Sequence, residues 1–183
     1  VAIGGGMMFT FLRAKGLETG RSLVEEDRVP VAREVLARPG ASQSLLLPTD
    51  CLVAQDVSGK DPGRTVSVEA LPPDLMGVDI GARSLQAIAD AIAGARTVFW
   101  NGPMGVFEAP AYAAGTIGVA RAVAQATARG AFTVVGGGDS LSAIRKAGVE
   151  DKISHCSTGG GASLEYLEGR VLPGVAALEA PAK

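Results

Sequence analysis

The stretch FTVVGGGDSLSAI (132–144) places three glycines, an aspartate and a serine between a β-rich run and an apolar-periodic run. Glycine permits positive φ and leaves backbone N–H groups unshielded, and a following helix adds its positive dipole end. We therefore expect Gly136, Gly137 and Gly138 to turn with positive φ and to bind an anion such as phosphate. Asp139 is the expected N-cap, and Mg²⁺ is expected between its carboxylate and the phosphate because the two anions would otherwise repel. Ser140 is expected to hydrogen-bond a phosphate oxygen.

Two more glycine clusters occur along the chain. One lies in VAIGGGMMFTFL (1–12) and the other in ISHCSTGGGASLEYL (153–167). An isolated GGGDS is as consistent with a capped turn that binds nothing as with an anion site, because glycine motifs alone often give false positives. Three clusters in one chain favour a ligand that approaches the backbone.

A different ligand contact is predicted in TVFWNGPMGVFEAPAYAAGT (97–116). A predicted strand ends there in a loop with few side chains, in which proline fixes φ and glycines allow close approach. Val106 and Phe107 add apolar surface beside the carboxylate of Glu108, and this combination suits a nucleoside. A competing interpretation places Val106 and Phe107 in the core and leaves Glu108 solvated.

Length and composition restrict the possible functions. A chain of 183 residues that is 47% hydrophobic and 20% charged can form one domain with a sizeable core. A net charge of −2 gives no basic field for nucleic acid or an anionic membrane. Two cysteines predict no disulfide framework, and the apolar runs are too short for a membrane span or signal peptide, which favours the cytosol. Because Val1 opens in mid-strand without a methionine, we expect a fragment.

Short β-rich runs alternate with longer helical patterns, which is typical of βαβ units. The predicted fold is α/β, a Rossmann-like three-layer αβα domain with a mainly parallel sheet and its glycine clusters at the carboxyl ends of strands. The strand candidates are 1–3, 44–48, 97–100, 132–135 and 152–155, and the helix candidates are 7–15, 25–38, 83–95 and 113–130. Only 51–81 breaks the alternation, where we expect an antiparallel excursion or a crossing loop.

The order and the residues of these stretches resemble the C-terminal half of phosphoglycerate kinase over nearly the whole chain. The segments that carry the resemblance, in that family's order, are IGGGMMFTFL, SLVEED, LLLPTD, MGVDIG, VFWNGPMGVFE, GTIGVARAVA, VVGGGDS, ISHCSTGGGASLEYLEG and LPGVAAL. The resemblance implies that residues 1–183 are the nucleotide-binding domain of a cytoplasmic, monomeric glycolytic enzyme. It implies phosphoryl transfer between 1,3-bisphosphoglycerate and MgADP, giving 3-phosphoglycerate and MgATP, with the phosphoglycerate bound by the family's other domain.

The resemblance also implies which residues would contact the nucleoside. Gly5 and Gly77 are similar to backbone walls of the adenine pocket, where any side chain would intrude. Pro103, Gly105 and Val106 are similar to residues along the base and sugar.

The remaining roles concern the ribose and the phosphates. Glu108 is similar to the carboxylate that accepts hydrogen bonds from the ribose hydroxyls, and Asn101 is expected near the transferring phosphate. By the same resemblance, Gly137 and Gly138 would donate amides to the phosphates. Asp139 would hold Mg²⁺ and Ser140 would complete the helix N-terminus.

The third glycine cluster has a separate implied role. In the family it opens a helix whose N-terminal amides face the phosphoryl group during transfer. Gly159 and Gly160 occupy those positions here. Backbone donors at this place would stabilise charge that spreads over three oxygens.

The sequence departs from the family before IGGG. The family's other half, with its basic phosphoglycerate site, is absent, and so is a glycine- and lysine-containing turn that contacts the nucleotide phosphates. We therefore expect this chain alone to bind nucleotide without catalysing transfer. One alternative is a stand-alone nucleotide-binding or scaffolding module. A dinucleotide-dependent oxidoreductase would need GxGxxG after the first strand, and GGGMMF does not have that spacing.

Overall fold

A computed structural model describes residues 1–179, so residues 180–183 of the predicted domain lie outside the described part. The helices are α1 (Met7–Ala14), α2 (Val29–Leu36), α3 (Ala41–Ser44), α4 (Ala82–Ala93), α5 (Ala114–Ala128), α6 (Gly138–Lys146), α7 (Gly160–Leu167) and α8 (Pro173–Glu179). The strands are β1 (Asp50–Ala54), β2 (Arg64–Ser67), β3 (Met76–Ile80), β4 (Thr97–Asn101), β5 (Phe132–Gly136) and β6 (His155–Ser157).

The strands β4, β5 and β6 form a parallel sheet with β5 in the centre. The pairing of β4 with β5 runs from Thr97 opposite Phe132 to Asn101 opposite Gly136. A helix follows each strand, namely α5, α6 and α7. Because parallel strands end on the same side, the three following loops begin at one edge of the sheet. This arrangement confirms the α/β class and the parallel sheet expected from the alternating pattern.

The segment that broke the alternation forms a second, antiparallel sheet in the order β2-β1-β3. Asp61 stabilises the connection between β1 and β2, because its carboxylate accepts hydrogen bonds from the N–H groups of Gln55 and Gly63, both at 2.9 Å. The expected antiparallel excursion is confirmed. The mainly parallel character predicted for the whole sheet thus applies to β4–β6, whereas β1–β3 are antiparallel.

Two predicted strands near the start are reduced to a single β-bridge. Segments 1–3 and 44–48 form no strand pair, only an isolated parallel bridge between Ala2 and Leu46, beside which the Val1 amine donates to Ser44 O. The predicted strand could not begin at Ser44, because the Ser44 N–H donates to Gly40 O at 3.0 Å and closes α3. The last strand also begins later than predicted, at His155, because residues 150–152 form a 3₁₀ turn.

The helices largely follow the sequence prediction. The pattern at 25–38 becomes a short 3₁₀ turn followed by α2, with Pro30 in the first turn, where its missing N–H is tolerated. The helices α4 and α5 pack closely, and a Cβ on Gly118 would lie 2.5 Å from Leu85 Cδ2. Within residues 1–179, no helix is long and apolar enough to cross a membrane.

Candidate functional site

The loop between β5 and α6 turns at a single glycine. Gly137 has φ 92°, whereas Gly136 and Gly138 do not have positive φ, which corrects the expectation for those two. Gly136 ends β5 and Gly138 begins α6. The Gly137 N–H donates to Ser157 O at 3.0 Å, so this amide is engaged by β6 and is not available to a phosphate. The N–H groups of the first α6 turn have no partner within the helix and remain the candidate phosphate donors.

Asp139 lies in the first turn of α6 rather than at its N-cap, which corrects the predicted capping role. The N-cap is Gly137, and no side chain caps this helix. Because no backbone N–H holds the Asp139 carboxylate as a cap, this exposed side chain is open to a cation. A carboxylate in this position also interacts favourably with the helix dipole.

Ser140 joins two of the predicted ligand loops. The residue is buried, and its Oγ accepts a hydrogen bond from Gly102 N–H at 2.7 Å. Its side chain therefore fixes the loop after β4 against the start of α6. The hydroxyl accepts from Gly102 and keeps its own O–H to donate, so the hydrogen bond to a phosphate oxygen stays a prediction, and the Ser140 backbone N–H is a second candidate donor.

Asn101 connects β4 to the same region. Its Nδ2 donates to Gly136 O at 2.8 Å, and these two residues form the last pair in the register of β4 with β5. A Cβ on Gly137 would lie 3.0 Å from this Nδ2 atom. The Asn101 side chain therefore lies against the turn that leads into α6, which is where the phosphate site was predicted.

The third glycine cluster packs against the second. A Cβ on Gly160 would lie 2.6 Å from Gly137 Cα and 3.0 Å from Asn101 Nδ2. Gly159 is the N-cap of α7, and the exposed turn leaves the first amides of this helix without intrahelical partners. The structure thus brings the N-termini of α6 and α7 together, while the predicted role of Gly159 and Gly160 in transfer remains a prediction.

The first cluster lies against the loop that follows β4. Gly5 has φ 57°, its N–H donates to Met104 O at 3.1 Å, and a Cβ on it would lie 2.6 Å from Pro103 O. Gly5 and Pro103, both predicted to bind the nucleoside, are therefore in direct contact. The need for glycine here has a structural cause, because a side chain would collide with the loop and strain the backbone.

Gly77 also requires glycine for packing. It lies in β3, its N–H donates to Ser22 Oγ at 2.9 Å, and a Cβ on it would lie 2.1 Å from Cζ of the buried Phe9 ring. The expected intrusion into a ligand pocket is therefore not the first effect of a side chain at this position. The collision with Phe9 comes first.

Gly105 and Val106 rest on β3. A Cβ on Gly105 would lie 2.4 Å from Val78 O, and the Val106 N–H donates to the same oxygen at 2.8 Å. Val106 is half-buried and Glu108 is exposed, so both can contact a ligand. Phe107 is buried in the core, as the competing interpretation held, and does not add to the apolar ligand surface.

Asp79 is a buried carboxylate beside the candidate site that sequence reasoning missed. It is buried in β3 beside Gly105, and its carboxylate accepts from Gly115 N–H at 2.7 Å, in the first turn of α5, and from Ile80 N–H at 2.9 Å. Burial raises the pKa of Asp79 to about 7, against the lowering effect of these two hydrogen bonds. The signal in the sequence was a single carboxylate inside the apolar strand MGVDIG.

Lys146 is the second missed residue. Its Nζ donates to the carbonyl oxygen of Phe107 and, at 3.2 Å, to that of Glu108. It lies in the last turn of α6, where a cation also interacts favourably with the helix dipole. No spacing rule connected it to a loop so far away in the sequence.

The described side chains fit a magnesium ion only in combination with a nucleotide. Within residues 1–179, no group of three or more His, Cys, Asp or Glu could hold a metal ion by itself. Mg²⁺ usually keeps several waters and binds through one or two carboxylates together with substrate phosphates. The exposed Asp139 carboxylate at the start of α6 matches the protein's part of such a site.

Comparison with known proteins identifies the family. The model of the phosphoglycerate kinase family matches residues 1–170. The chain is 54% identical to the chloroplastic phosphoglycerate kinase of Volvox carteri over 98% of its own length and 39% of the relative, and 54% identical to that of Chlorobium luteolum over 97% and 45%. The solved phosphoglycerate kinase of Coxiella burnetii superposes with a TM-score of 0.90 at 38% identity over 100% of this chain and 46% of that one. The chain spans less than half the length of these relatives, and it belongs to the phosphoglycerate kinase family.

Proposed function

We propose that residues 1–183 are the C-terminal, nucleotide-binding domain of a phosphoglycerate kinase. In the whole enzyme, the terminal phosphate oxygen of ADP attacks the acyl phosphate of 1,3-bisphosphoglycerate. The bond from phosphorus to the acyl oxygen breaks, and 3-phosphoglycerate leaves as the carboxylate while MgATP forms. The family membership and the shared fold support this activity.

The mutual contact of four glycine-containing loops carries the proposal. All four lie beside the carboxyl edge of the parallel sheet, which is where ligands bind in folds of this class. The contacting pairs are Gly5 with Pro103, Asn101 with Gly136, Gly102 with Ser140, and Gly137 with Gly160. These contacts support one continuous surface that carries the predicted base, sugar and phosphate contacts.

The phosphate end of this surface is formed by two helix N-termini. The amides of Gly138 and Ser140 donate to nucleotide phosphates, and Asp139 binds the Mg²⁺ that accompanies them. The amides at Gly159 and Gly160 stabilise charge on the phosphoryl group during transfer. The bound Mg²⁺ supplies neutralisation of the phosphate charge.

The nucleoside end is formed by the loop after β4 and its neighbours. Gly5, Pro103 and Gly105 leave backbone surface for the base, and Val106 supplies apolar contact. Gly77 supports this surface by its packing on Phe9. Glu108, which is exposed beside Val106, accepts hydrogen bonds from the ribose hydroxyls.

The chain by itself binds MgADP or MgATP without turnover. Phosphoryl transfer depends on positioning both substrates and excluding water, and the relatives are more than twice as long as the part that this chain matches. We place the whole enzyme in the cytoplasm as a monomer, with phosphoglycerate held by its other domain.

A hybrid enzyme tests the proposed function. This chain replaces the matching part of the Chlorobium luteolum relative, to which it is 54% identical. We expect the hybrid to form ATP from ADP and 1,3-bisphosphoglycerate, and the chain alone to form none. A folded hybrid that binds no adenine nucleotide and has no transfer activity would contradict the proposal and favour a scaffolding module, whereas one that binds nucleotide without transfer would favour a stand-alone nucleotide-binding module.

A further inference from the structure

Lys146 connects α6 to the turn that carries Glu108. Its ammonium donates to the carbonyl oxygens of Phe107 and Glu108, which are consecutive in the chain. It also lies 5.8 Å from the centroid of the Phe107 ring, within the range of a cation–π contact. One side chain thus contacts the two peptide groups on either side of Glu108 and the aromatic ring of the preceding residue.

The other contacts of this turn leave Glu108 itself unsupported. The Val106 N–H donates to Val78 O at 2.8 Å, and the Ala109 N–H donates back to Val106 O at 3.2 Å. Phe107 is buried, whereas the Glu108 side chain is exposed. The direction of the Glu108 side chain therefore depends on the peptide planes on either side of it. Lys146 is bonded to both carbonyl oxygens, and hydrogen bonds from a charged donor are stronger than neutral ones.

We propose that Lys146 is a positioning residue for nucleoside recognition, because it fixes the turn that presents the Glu108 carboxylate to the ribose hydroxyls. The inference rests on the proposed function, specifically on the assignment of Glu108 to the ribose. It assigns different roles to the two ends of α6. The nine residues of this helix place Lys146 roughly 12 Å from the Asp139 end, so its contacts act on the sugar rather than on the phosphates.

The competing explanation is that Lys146 only complements the helix dipole. Arg145 provides the matched control, because it lies in the same last turn and carries the same charge. Its guanidinium pairs with Glu150 at 2.9 Å and makes no hydrogen bond to the Phe107–Glu108 turn within the described residues. A dipole or net-charge effect would appear equally when either side chain is replaced.

The experiment compares three ligands by NMR titration of this chain: MgADP, the magnesium complex of 2′,3′-dideoxyADP, and magnesium tripolyphosphate. The proteins are the unaltered chain, Lys146→Met, Lys146→Gln and Arg145→Met, each with its folding checked from its amide spectrum. Since hydrogen bonds to a carboxylate favour the hydroxylated sugar, we expect the unaltered chain and Arg145→Met to prefer ADP over the dideoxy nucleotide by about tenfold. Both Lys146 variants should reduce this preference to about twofold, with tripolyphosphate binding unchanged.

The possible outcomes separate this inference from the function on which it rests. A folded Lys146 variant that keeps the tenfold preference would overturn the positioning role while leaving the proposed function intact. An equal loss of affinity for all three ligands would also overturn it, because the effect would not be confined to the sugar. An unaltered chain that binds none of the ligands would overturn the proposed function and, with it, this inference.

Discussion

Gly160 lies so close to Gly137 that a Cβ on Gly160 would be 2.6 Å from the Gly137 Cα atom. The first belongs to the N-terminus of α7 and the second is the N-cap of α6. The two helix N-termini are therefore held together by backbone contact that only glycine at position 160 permits. Packing, and not only ligand approach, explains why the two clusters contain glycine.

This contact predicts the effect of Gly160→Ala. The added methyl group must displace the Gly137 backbone, so we expect the free energy of unfolding to fall by about 1–3 kcal/mol. Gly161→Ala is the control, since a Cβ at Gly161 meets nothing within 4 Å, and it should leave the melting temperature unchanged or raise it. Calorimetric melting of both variants checks this prediction. Equal stability of the two would show that the Gly137 contact is not restrictive.

Gly77→Ala tests whether packing or ligand approach requires glycine at the nucleoside end. Its Cβ would overlap the buried Phe9 ring, and we expect destabilisation of about 1–3 kcal/mol in urea unfolding. Gly94→Ala is the matched control, because Gly94 has φ −86° and the nearest atom to its Cβ would be Ala91 O at 3.9 Å. A Gly77 variant of unaltered stability that has lost only nucleotide affinity would instead make Gly77 a direct wall of the ligand site.

Asp79 predicts a pH dependence of stability. Because its pKa rises from 3.8 in the unfolded reference to about 7 in the folded protein, the native state binds this proton more tightly. The contribution of Asp79 to the free energy of unfolding should therefore fall as pH rises from about 4 to 7, by roughly 4 kcal/mol at most. Above about pH 7 this contribution should no longer change with pH.

Asp79→Asn isolates this effect. Asparagine does not titrate and can accept only through one of the two atoms that receive the Gly115 and Ile80 N–H groups, so the variant should be the less stable protein at pH 5. The difference in stability should shrink by pH 8, as the wild type loses its advantage. Asp90→Asn, at an exposed position of α4, is the control. A difference that stays constant from pH 5 to 8 would contradict the raised pKa.

Substitutions of Asp139 and Glu108 should affect the hybrid enzyme in different ways. Asp139→Ala should lower the rate and alter its dependence on Mg²⁺ concentration, because this exposed carboxylate lies in the first turn of α6. Glu108→Ala should raise the KM for ADP by about tenfold and leave the Mg²⁺ dependence intact, since its role is with the sugar. Steady-state rates over a series of Mg²⁺ concentrations distinguish the two. Identical metal profiles for both variants would refute this division of roles.

The sequence predicted the parallel part of the fold because each element there has its own local signal. Strands β4 and β5 are short β-rich runs, and glycines mark where each loop leaves the sheet. The bridge of Ala2 with Leu46 could not be assigned in the same way. Whether an apolar run such as 44–48 becomes a strand depends on tertiary partners rather than on its own residues.

The candidate site was predicted as a set of loops but not as a set of contacts. The positions of Gly5, Asn101 and Gly137 follow from local turns, so the motifs located them. The buried carboxylate of Asp79 and the Lys146 contacts join residues that are more than 30 positions apart. Such contacts leave no periodic or spacing signal in one sequence, and the same holds for the role of Ser140 as an acceptor from Gly102.

Titration of the ¹⁵N-labelled chain with MgADP tests the central claim most directly. We expect saturable chemical-shift changes in the amides of Gly5, Val106, Gly138 and Gly160. The dissociation constant should be on the order of 1 mM. They should occur together because those loops form one surface. A folded chain with no shifts at these amides, or with shifts confined to the apolar cavity between Phe99 and Tyr166, would contradict the account.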